Sequence, residues 1–193
     1  MGSAEIINAA FTRNSAVLKK SIEIILPDVR KAAEILLNVA QSDRIMFACG
    51  NGGSAADASH LVGEWLCRYK SDRKPLRAIS LASELAAVTA IANDYSYEDV
   101  FARQLQALGS TGDVLVAITT SGKSRNVIQA IDAAKKKNMK IIVLTGAGGA
   151  HLRNSADVVV AVPTTETARI QEIHEIVFHS WCEYVDQNLN LKT

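Results

Sequence analysis

The chain has 193 residues, with 21 Lys and Arg against 20 Asp and Glu, a net charge of +1. This length predicts one domain with a substantial core, and the near-zero charge excludes a general attraction to nucleic acid or an anionic membrane. Cys49, Cys67 and Cys182 are widely spaced and odd in number, which indicates free thiols rather than a disulfide framework. The sequence carries neither a signal core nor an apolar stretch of the roughly 20 residues that span a bilayer. We therefore expect a soluble cytoplasmic protein without nucleic-acid or membrane partners.

The N-terminal segment predicts a helical arm. Apolar residues recur at helical spacing from about Ile6 to Val39, and we expect a break near Pro27. The predicted organisation is a single domain over residues 1–193, with the arm at about 1–42 and the core at about 43–190.

The core alternates strands with amphipathic helices. Five short apolar runs predict buried strands, namely Ile45–Cys49, Ala78–Leu81, Val114–Ile118, Ile141–Leu144 and Val158–Val162. The last helix, from about Glu166 to Asn188, carries Gln171, Glu175 and His179 at intervals of four on a polar stripe. This pattern predicts an α/β fold, a doubly wound five-stranded parallel sheet with a helical N-terminal arm.

The turn after the first strand is the strongest functional indication. The sequence Cys49-Gly50-Asn51-Gly52-Gly53-Ser54-Ala55-Ala56-Asp57 predicts a tight turn whose amides face one point at a helix N-terminus, an arrangement that binds anions. His60 and Glu64 follow four residues apart, so both project from one face of that helix. The segment therefore joins an anion cradle to a candidate metal and base pair.

Two further turns follow strands, where open α/β sheets bind their ligands. Thr119-Thr120-Ser121-Gly122-Lys123-Ser124 has four hydroxyls that suit a phosphate, although Ser121 or Ser124 would also serve as an ordinary helix N-cap. Thr145–Ala150 has glycines without a hydroxyl cluster, and we interpret it as structural.

Nucleotide binding is less well supported. A Walker loop requires a glycine where Ala117 stands, so that motif is absent. Gly50–Ala55 satisfies the G-x-G-x-x-A pattern of dinucleotide sites, but no acidic residue ends the next strand, Ala78–Leu81. A dinucleotide remains a minority hypothesis.

Together these segments resemble the SIS (sugar isomerase) family, and most closely its phosphoheptose isomerase branch. The resemblance runs from about Asp43 to the C-terminus through four motifs in order: Gly50–Ala58 with His60 and Glu64, Asn93-Asp94-Tyr95, Thr119–Ser124, and Arg169-Ile170-Gln171-Glu172. It implies a flavodoxin-like fold and a cytoplasmic homotetramer with sites completed by neighbouring subunits. The implied reaction converts sedoheptulose 7-phosphate into D-glycero-D-manno-heptose 7-phosphate, the first step towards lipopolysaccharide heptoses.

The resemblance also implies roles for single residues. Glu64 would be the proton-abstracting base and His179 the acid that assists it. One zinc ion (Zn²⁺) per subunit would be bound by His60, Glu64, Gln171 and His179, with no nucleotide cofactor. The implied substrate-binding set is Asn51, Gly52, Gly53, Ser54, Asp57, Arg68, Asn93, Asp94, Thr119, Thr120, Ser121, Ser124 and Gln171.

Three positions leave a role open or depart from the family pattern. Lys123 stands where many relatives have asparagine, and Ala168 stands where an acidic residue is often proposed, so no role is carried over there. Asp94 would contact a substrate hydroxyl or relay a proton, or it would form an Asx turn with Asn93.

The main alternative is a binding protein of the same fold. DiaA is a non-enzymatic SIS tetramer that binds the replication initiator DnaA, and DiaA-like sequences lack counterparts of Glu64 and His179. Both residues are present here, which favours an enzyme. Sensors of sugar phosphates, and isomerases for other phosphosugars such as arabinose 5-phosphate, remain further alternatives.

Overall fold

A computed structural model describes residues 2–189 of the chain. The N-terminal arm is one 39-residue helix, α1 (Ser3–Gln41), which continues through Pro27. The predicted break was therefore wrong. Pro27 lies on the exposed side of α1, between the buried residues Ile25 and Val29. The carbonyl that loses its amide partner at the proline therefore faces water, where it is readily hydrated.

The predicted parallel sheet is confirmed. Its strands are β1 (Met46–Cys49), β2 (Ala78–Ser80), β3 (Val114–Thr119), β4 (Lys140–Gly146) and β5 (Val158–Val162). Their order is β2-β1-β3-β4-β5, and every neighbouring pair is parallel. The direction of strand addition reverses between β1 and β3, and at such a switch point the two following turns diverge to opposite faces and leave a ligand crevice.

Helices cover both faces of the sheet, as the alternating pattern predicted. They are α2 (Gly53–Leu66), α3 (Leu85–Asp94), α4 (Ala102–Leu108), α5 (Arg125–Lys136) and α6 (Thr167–Asn188). One core joins α1, α2 and α6 to one face, and a second core joins α4 and α5 to the other. The ends of the predicted domain, residue 1 and residues 190–193, lie outside the described residues. None of the helices described is long and apolar enough to span a lipid bilayer.

The short helix α3 differs from the other α-helices because none of its residues is buried. Its sequence is nevertheless apolar along most of its length, and Leu85 at its start is 72% exposed. Phe11 on α1 is 75% exposed. A contiguous apolar surface such as the one along α3 is typical of a site that contacts another protein.

Candidate active site

The glycine turn forms the predicted cradle at the start of α2. Gly52 has φ +56°, a backbone conformation that favours glycine. A Cβ on Gly50 would overlap the backbone of Ser54, so the turn closes only with glycine there. The Ser54 side chain is buried at the first turn of α2. The free amides and the helix dipole at this point favour an anion.

Asn51 ties the glycine turn to helix α5. Its Nδ2 donates to Asn126 Oδ1 at 2.9 Å, and Asn126 Nδ2 donates back to Asn51 Oδ1 at 2.8 Å. The Tyr97 hydroxyl also donates to Asn51 Oδ1, at 2.9 Å. Both lone pairs of that oxygen are therefore used, which leaves one N–H of the amide for a sugar hydroxyl.

The hydroxyl loop after β3 leaves Ser124 free for a ligand. Ser124 occupies the N-cap position of α5, yet its side chain makes no capping bond to the described helix. Instead Thr119 Oγ1 donates to Ser124 Oγ at 3.2 Å, so the two hydroxyls lie side by side. Ser121 Oγ accepts from the Lys123 amide at 3.1 Å. The serine that sequence alone would assign to capping is therefore oriented into the turn.

The third turn, at the end of β4, is hydrogen-bonded to the hydroxyl loop. Thr145 Oγ1 donates to the Thr119 carbonyl at 2.7 Å, and the Gly146 amide donates to the Thr120 carbonyl at 3.1 Å. Gly122, at φ +69°, packs against Gly149 so closely that a Cβ would overlap it. These contacts agree with the structural role predicted for Thr145–Ala150.

A shallow cavity of about 190 Å³ adjoins the hydroxyl loop. It is lined by Thr120, Ser121 and Lys123 of that loop, by Thr165 just before α6 and by Thr167, the first residue of α6. These two threonines were missed in the sequence because they lie far from the loop along the chain. They add two hydroxyls beside the hydroxyl loop.

The second half of α2 carries a separate cluster of reactive side chains. His60 Nε2 lies 3.3 Å from Glu64 Oε1 and 3.4 Å from His179 Nε2 on α6. One ligand atom from each of the three residues falls within 4.8 Å of the others, which is a spacing that a single metal ion can bridge. Two imidazoles and a carboxylate are a donor set that suits zinc. Three of the four predicted ligands therefore lie together.

Gln171, the fourth predicted ligand, lies elsewhere in the subunit. A Cβ on Gly53 would lie 2.5 Å from Gln171 Nε2, so this amide packs against the first turn of α2. His179 is two helical turns further along α6, about 12 Å by helix rise. Because α2 and α6 run parallel, Gln171 faces the anion cradle while His179 faces His60. This position fits its predicted substrate contact better than metal ligation.

Asp57 lies between the cradle and the reactive cluster. Its side chain is buried, and Oδ2 has no hydrogen-bond partner among the described residues. Burial raises the pKa of Asp57 to about 6, the Glu175 carboxylate adds to the rise, and His60 opposes it. A carboxyl with this pKa is mostly ionised at pH 7, where it accepts hydrogen bonds, and it takes up a proton as the pH falls towards 6.

Three predicted substrate residues lie outside both clusters. Arg68 follows the C-terminal end of α2, and its guanidinium donates to the Lys70 carbonyl at 3.3 Å, so it does not reach the cradle of its own subunit. Asn93 and Asp94 form the last turn of the exposed helix α3, where Asn93 Nδ2 donates to Asp94 Oδ1 at 2.8 Å. Asp94 is therefore the last residue of α3, and the alternative Asx turn with Asn93 is not observed. All three residues are exposed.

The remaining histidines and the buried cysteines are not part of this site. His174 is buried, with Nε2 3.3 Å from the Thr145 carbonyl, and burial lowers its pKa to about 4. Burial raises the pKa of both the Cys49 and the Cys182 thiol to about 12, so neither forms a thiolate at neutral pH. His151 is exposed beside Gly148.

Comparison with known proteins decides the family. Residues 10–146 match the SIS domain model. A phosphoheptose isomerase of Shewanella denitrificans is 44% identical over 188 residues, covering 96% of each chain. The solved phosphoheptose isomerase GmhA of Neisseria gonorrhoeae superposes with a TM-score of 0.90 at 39% identity, over 96% of this chain and 100% of that one. This chain belongs to the phosphoheptose isomerase family of SIS-domain proteins.

Other solved structures place the phosphoheptose isomerase family within a wider fold. A phosphoheptose isomerase from Francisella tularensis gives a TM-score of 0.93 at 34% identity, over 97% of this chain and 100% of that one. The Vibrio vulnificus NanR protein gives only 0.68 at 15% identity, over 97% of this chain and 68% of that one, a likeness of fold alone. The family resemblance read from the four motifs is thus confirmed.

Proposed function

We propose that this protein is an aldose–ketose isomerase that converts sedoheptulose 7-phosphate into D-glycero-D-manno-heptose 7-phosphate in the cytoplasm. The observation that carries this proposal is the pairing of Glu64 with His179 through His60, within 4.8 Å, on two parallel helices. A base and an acid at that spacing meet the requirement of proton transfer between neighbouring carbon atoms.

In this mechanism Glu64 acts on the open-chain ketose. Its carboxylate takes a proton from C1, and His179 donates a proton to the carbonyl oxygen on C2, which gives a neutral ene-diol. Glu64 then returns its proton to C2, and the hydroxyl on C1 returns a proton to His179 as the aldehyde forms. Both residues end in their starting protonation states, so no external acid or base is consumed.

The cradle supplies binding rather than chemistry. The amides at the start of α2 and the hydroxyls of Ser54, Thr119, Ser121 and Ser124 hold the phosphate, and Lys123 lies at the edge of the same loop. A phosphate has the charge and the acceptor oxygens that such a site pairs with. Binding at this remote group orients the sugar chain so that its reactive end is presented to the base.

We infer that zinc is the cofactor of the three-residue cluster, where His60, Glu64 and His179 would hold it. A bound zinc ion would polarise the sugar oxygens as a Lewis acid. Glu64 Oε1 and His179 Nε2 are the atoms that meet His60, so with zinc bound Glu64 Oε2 would accept the proton and the His179 Nδ1–H would donate one.

We further infer that a neighbouring subunit completes each site in a homotetramer. Glu64 lies eleven residues after Gly53 on α2, about 16 Å along the helix axis, so the cradle and the base of one chain are far apart. The predicted contacts Asn93 and Asp94 lie on the apolar, unburied helix α3. Burial of α3 against another subunit would bring these residues to a site and remove its apolar surface from water.

The test is incubation of purified protein with sedoheptulose 7-phosphate, followed by phosphorus NMR with and without added zinc. We expect an aldoheptose 7-phosphate to form with the wild type and not with Glu64→Gln, which keeps the shape of the side chain but cannot accept the proton. A wild type that is inert in both metal states would overturn this proposal. Arabinose 5-phosphate and binding to the initiator DnaA would then be tested in turn.

A further inference from the structure

The loop that follows α2 carries a ring stacked on the proposed acid. Tyr69 lies with its ring centroid 5.5 Å from that of His179 and with the two planes 21° apart. The imidazole also meets His60 and Phe178 edge-on, with ring centroids 4.9 Å and 4.8 Å away. Three rings therefore lie against His179, and Tyr69 is the one that comes from outside α2 and α6.

Asp186 on α6 fixes this loop in place. It accepts from the Lys70 amide at 2.9 Å, from the Ser71 amide at 3.1 Å and from Arg73 Nε at 2.5 Å. The ion pair of Asp186 with Arg73 is almost fully buried, with each side chain 1% exposed. A buried pair with this many hydrogen bonds is rigid, because any displacement leaves a charge without a partner.

The same guanidinium also holds the backbone of the proposed base. Arg73 Nη2 donates to the Glu64 carbonyl at 2.8 Å, and Nη1 donates to the Trp65 carbonyl at 3.0 Å. These carbonyls belong to the last turn of α2, where backbone carbonyls have no amide donor within the helix, and the Leu76 amide also donates to the Trp65 carbonyl. One buried arginine thus connects the base on α2 to the loop that stacks on the acid.

We propose that Tyr69 is a positioning residue, which fixes the imidazole of His179 in the orientation needed for proton transfer and is itself held by the Arg73–Asp186 pair. This inference rests on the proposed isomerase function. The ring is the part that acts, because Tyr69 meets His179 through the two stacked rings. Phenylalanine should therefore replace tyrosine without loss, whereas a side chain without a ring should not.

The test compares Tyr69→Phe with Tyr69→Leu and Tyr69→Met in the full-length protein. Two non-aromatic variants are made so that a folding defect in one does not decide the result, and thermal unfolding identifies any such defect. Proton NMR follows the His179 ring, which a stacked tyrosine shifts upfield by its ring current. The chain has four histidines, and His179→Gln assigns the signal by its disappearance.

We expect Tyr69→Leu and Tyr69→Met to move the His179 signals downfield. Both should lower kcat about threefold to tenfold, which corresponds to the interaction free energy of one aromatic pair, with KM nearly unchanged. Tyr69→Phe should match the wild type in both readouts. Unmoved His179 signals in the non-aromatic variants, or equal kcat in all three variants, would overturn the inference. An inert wild type would contradict the isomerase instead, and the spectra would still decide whether Tyr69 holds the ring.

Discussion

The two ends of α2 perform different tasks and are built in different ways. The N-terminal end is a cradle of backbone amides and buried hydroxyls, whose position follows from the ends of β1 and β3. The C-terminal half presents side chains, with His60 42% and Glu64 24% exposed. This half is held by the loop that follows α2 and by the buried ion pair of Arg73 with Asp186.

This contrast indicates how the two tasks constrain the fold. An anion site needs only fixed dipoles, and a parallel sheet supplies them at its carboxyl edge. A proton-transfer site needs side chains whose environment is set individually, so it depends on contacts far apart in the sequence. Within one chain the two ends lie about 16 Å apart along the helix. An experiment can test whether one site uses both ends of the same chain or ends from two chains.

The largest expected effect comes from mixing two inactive variants. Glu64→Gln disables the reactive end, and we expect it to lower kcat by about 10³-fold. Ser124→Asp disables the cradle by placing a carboxylate against the phosphate, while aspartate remains a good residue for the N-cap position. If each site combines ends from two subunits, random reassembly of an equal mixture should recover roughly a quarter of wild-type activity.

The control for mixing is each variant reassembled alone, which should stay inactive. Activity returns in the mixture only if an intact cradle from one chain and an intact Glu64 from another chain form one site. A mixture as inactive as its components would mean that both ends of a site belong to one chain, and the comparison drawn above would lose its functional meaning.

The next effect concerns the stability of the reactive end. Arg73→Met should lower the free energy of unfolding by about 3–5 kcal/mol, because it leaves the Asp186 carboxylate buried without its partner. Urea denaturation measures this loss. The double variant Arg73→Met/Asp186→Leu should regain much of it, since no charge remains buried. Equal stability of the single variant and the wild type would mean that the pair does not hold this end.

The cradle end has its own buried titratable group. His174 on α6 meets the Thr145 carbonyl below the hydroxyl loop, and burial lowers its pKa from 6.5 to about 4. Between these values the unfolded chain binds a proton that the native protein excludes, so stability is complete above pH 6.5 and falls as pH drops towards 4. We expect a loss of up to about 3 kcal/mol.

Denaturation of His174→Gln across the same pH range tests this dependence. Glutamine keeps an N–H for Thr145 and does not titrate, so its stability should vary less with pH between 6.5 and 4 than that of the wild type. Parallel curves for the two proteins would assign the acid sensitivity to other groups.

The smallest effect separates binding from capping at Ser124. Because its hydroxyl makes no capping bond to α5, Ser124→Ala should change the free energy of unfolding by less than about 0.5 kcal/mol, below the usual cost of losing an N-cap. It should raise KM about tenfold, equivalent to ~1.4 kcal/mol, with kcat little changed. A stability loss of ~1 kcal/mol with normal KM would make Ser124 an ordinary cap.

Local patterns predicted the strands, the glycine turn and the hydroxyl loop, because each is a short segment that its apolar run or its glycines and hydroxyls identify. The apolar runs gave all five strands, with bounds that shifted by one or two residues at half of the ends. Pro27 misled the prediction because the sequence does not state which side of a helix faces water. The isomerase family and class, read from motif order, were confirmed by the comparisons.

The site residues that sequence missed are those whose partners lie far along the chain. Asn126 pairs with Asn51 across 75 positions, and Tyr69 meets His179 only after α2 and α6 have packed. Gln171 and His179 lie on the same polar stripe of α6, but the sequence does not indicate which part of α2 packs against each of them. Because α2 runs parallel to α6, Gln171 lies at the N-terminal end of α2 and His179 at its C-terminal half.

The switch point between β1 and β3 has a thermodynamic consequence. Its two turns lead into α2, which packs in the core with α1 and α6, and into α5, which packs in the core on the opposite face. An anion held by both turns is bound only while both cores are intact. Its binding free energy is therefore added to the stability of each layer. Occupancy links their unfolding into one cooperative transition, so a bound substrate protects even those helices that never touch it.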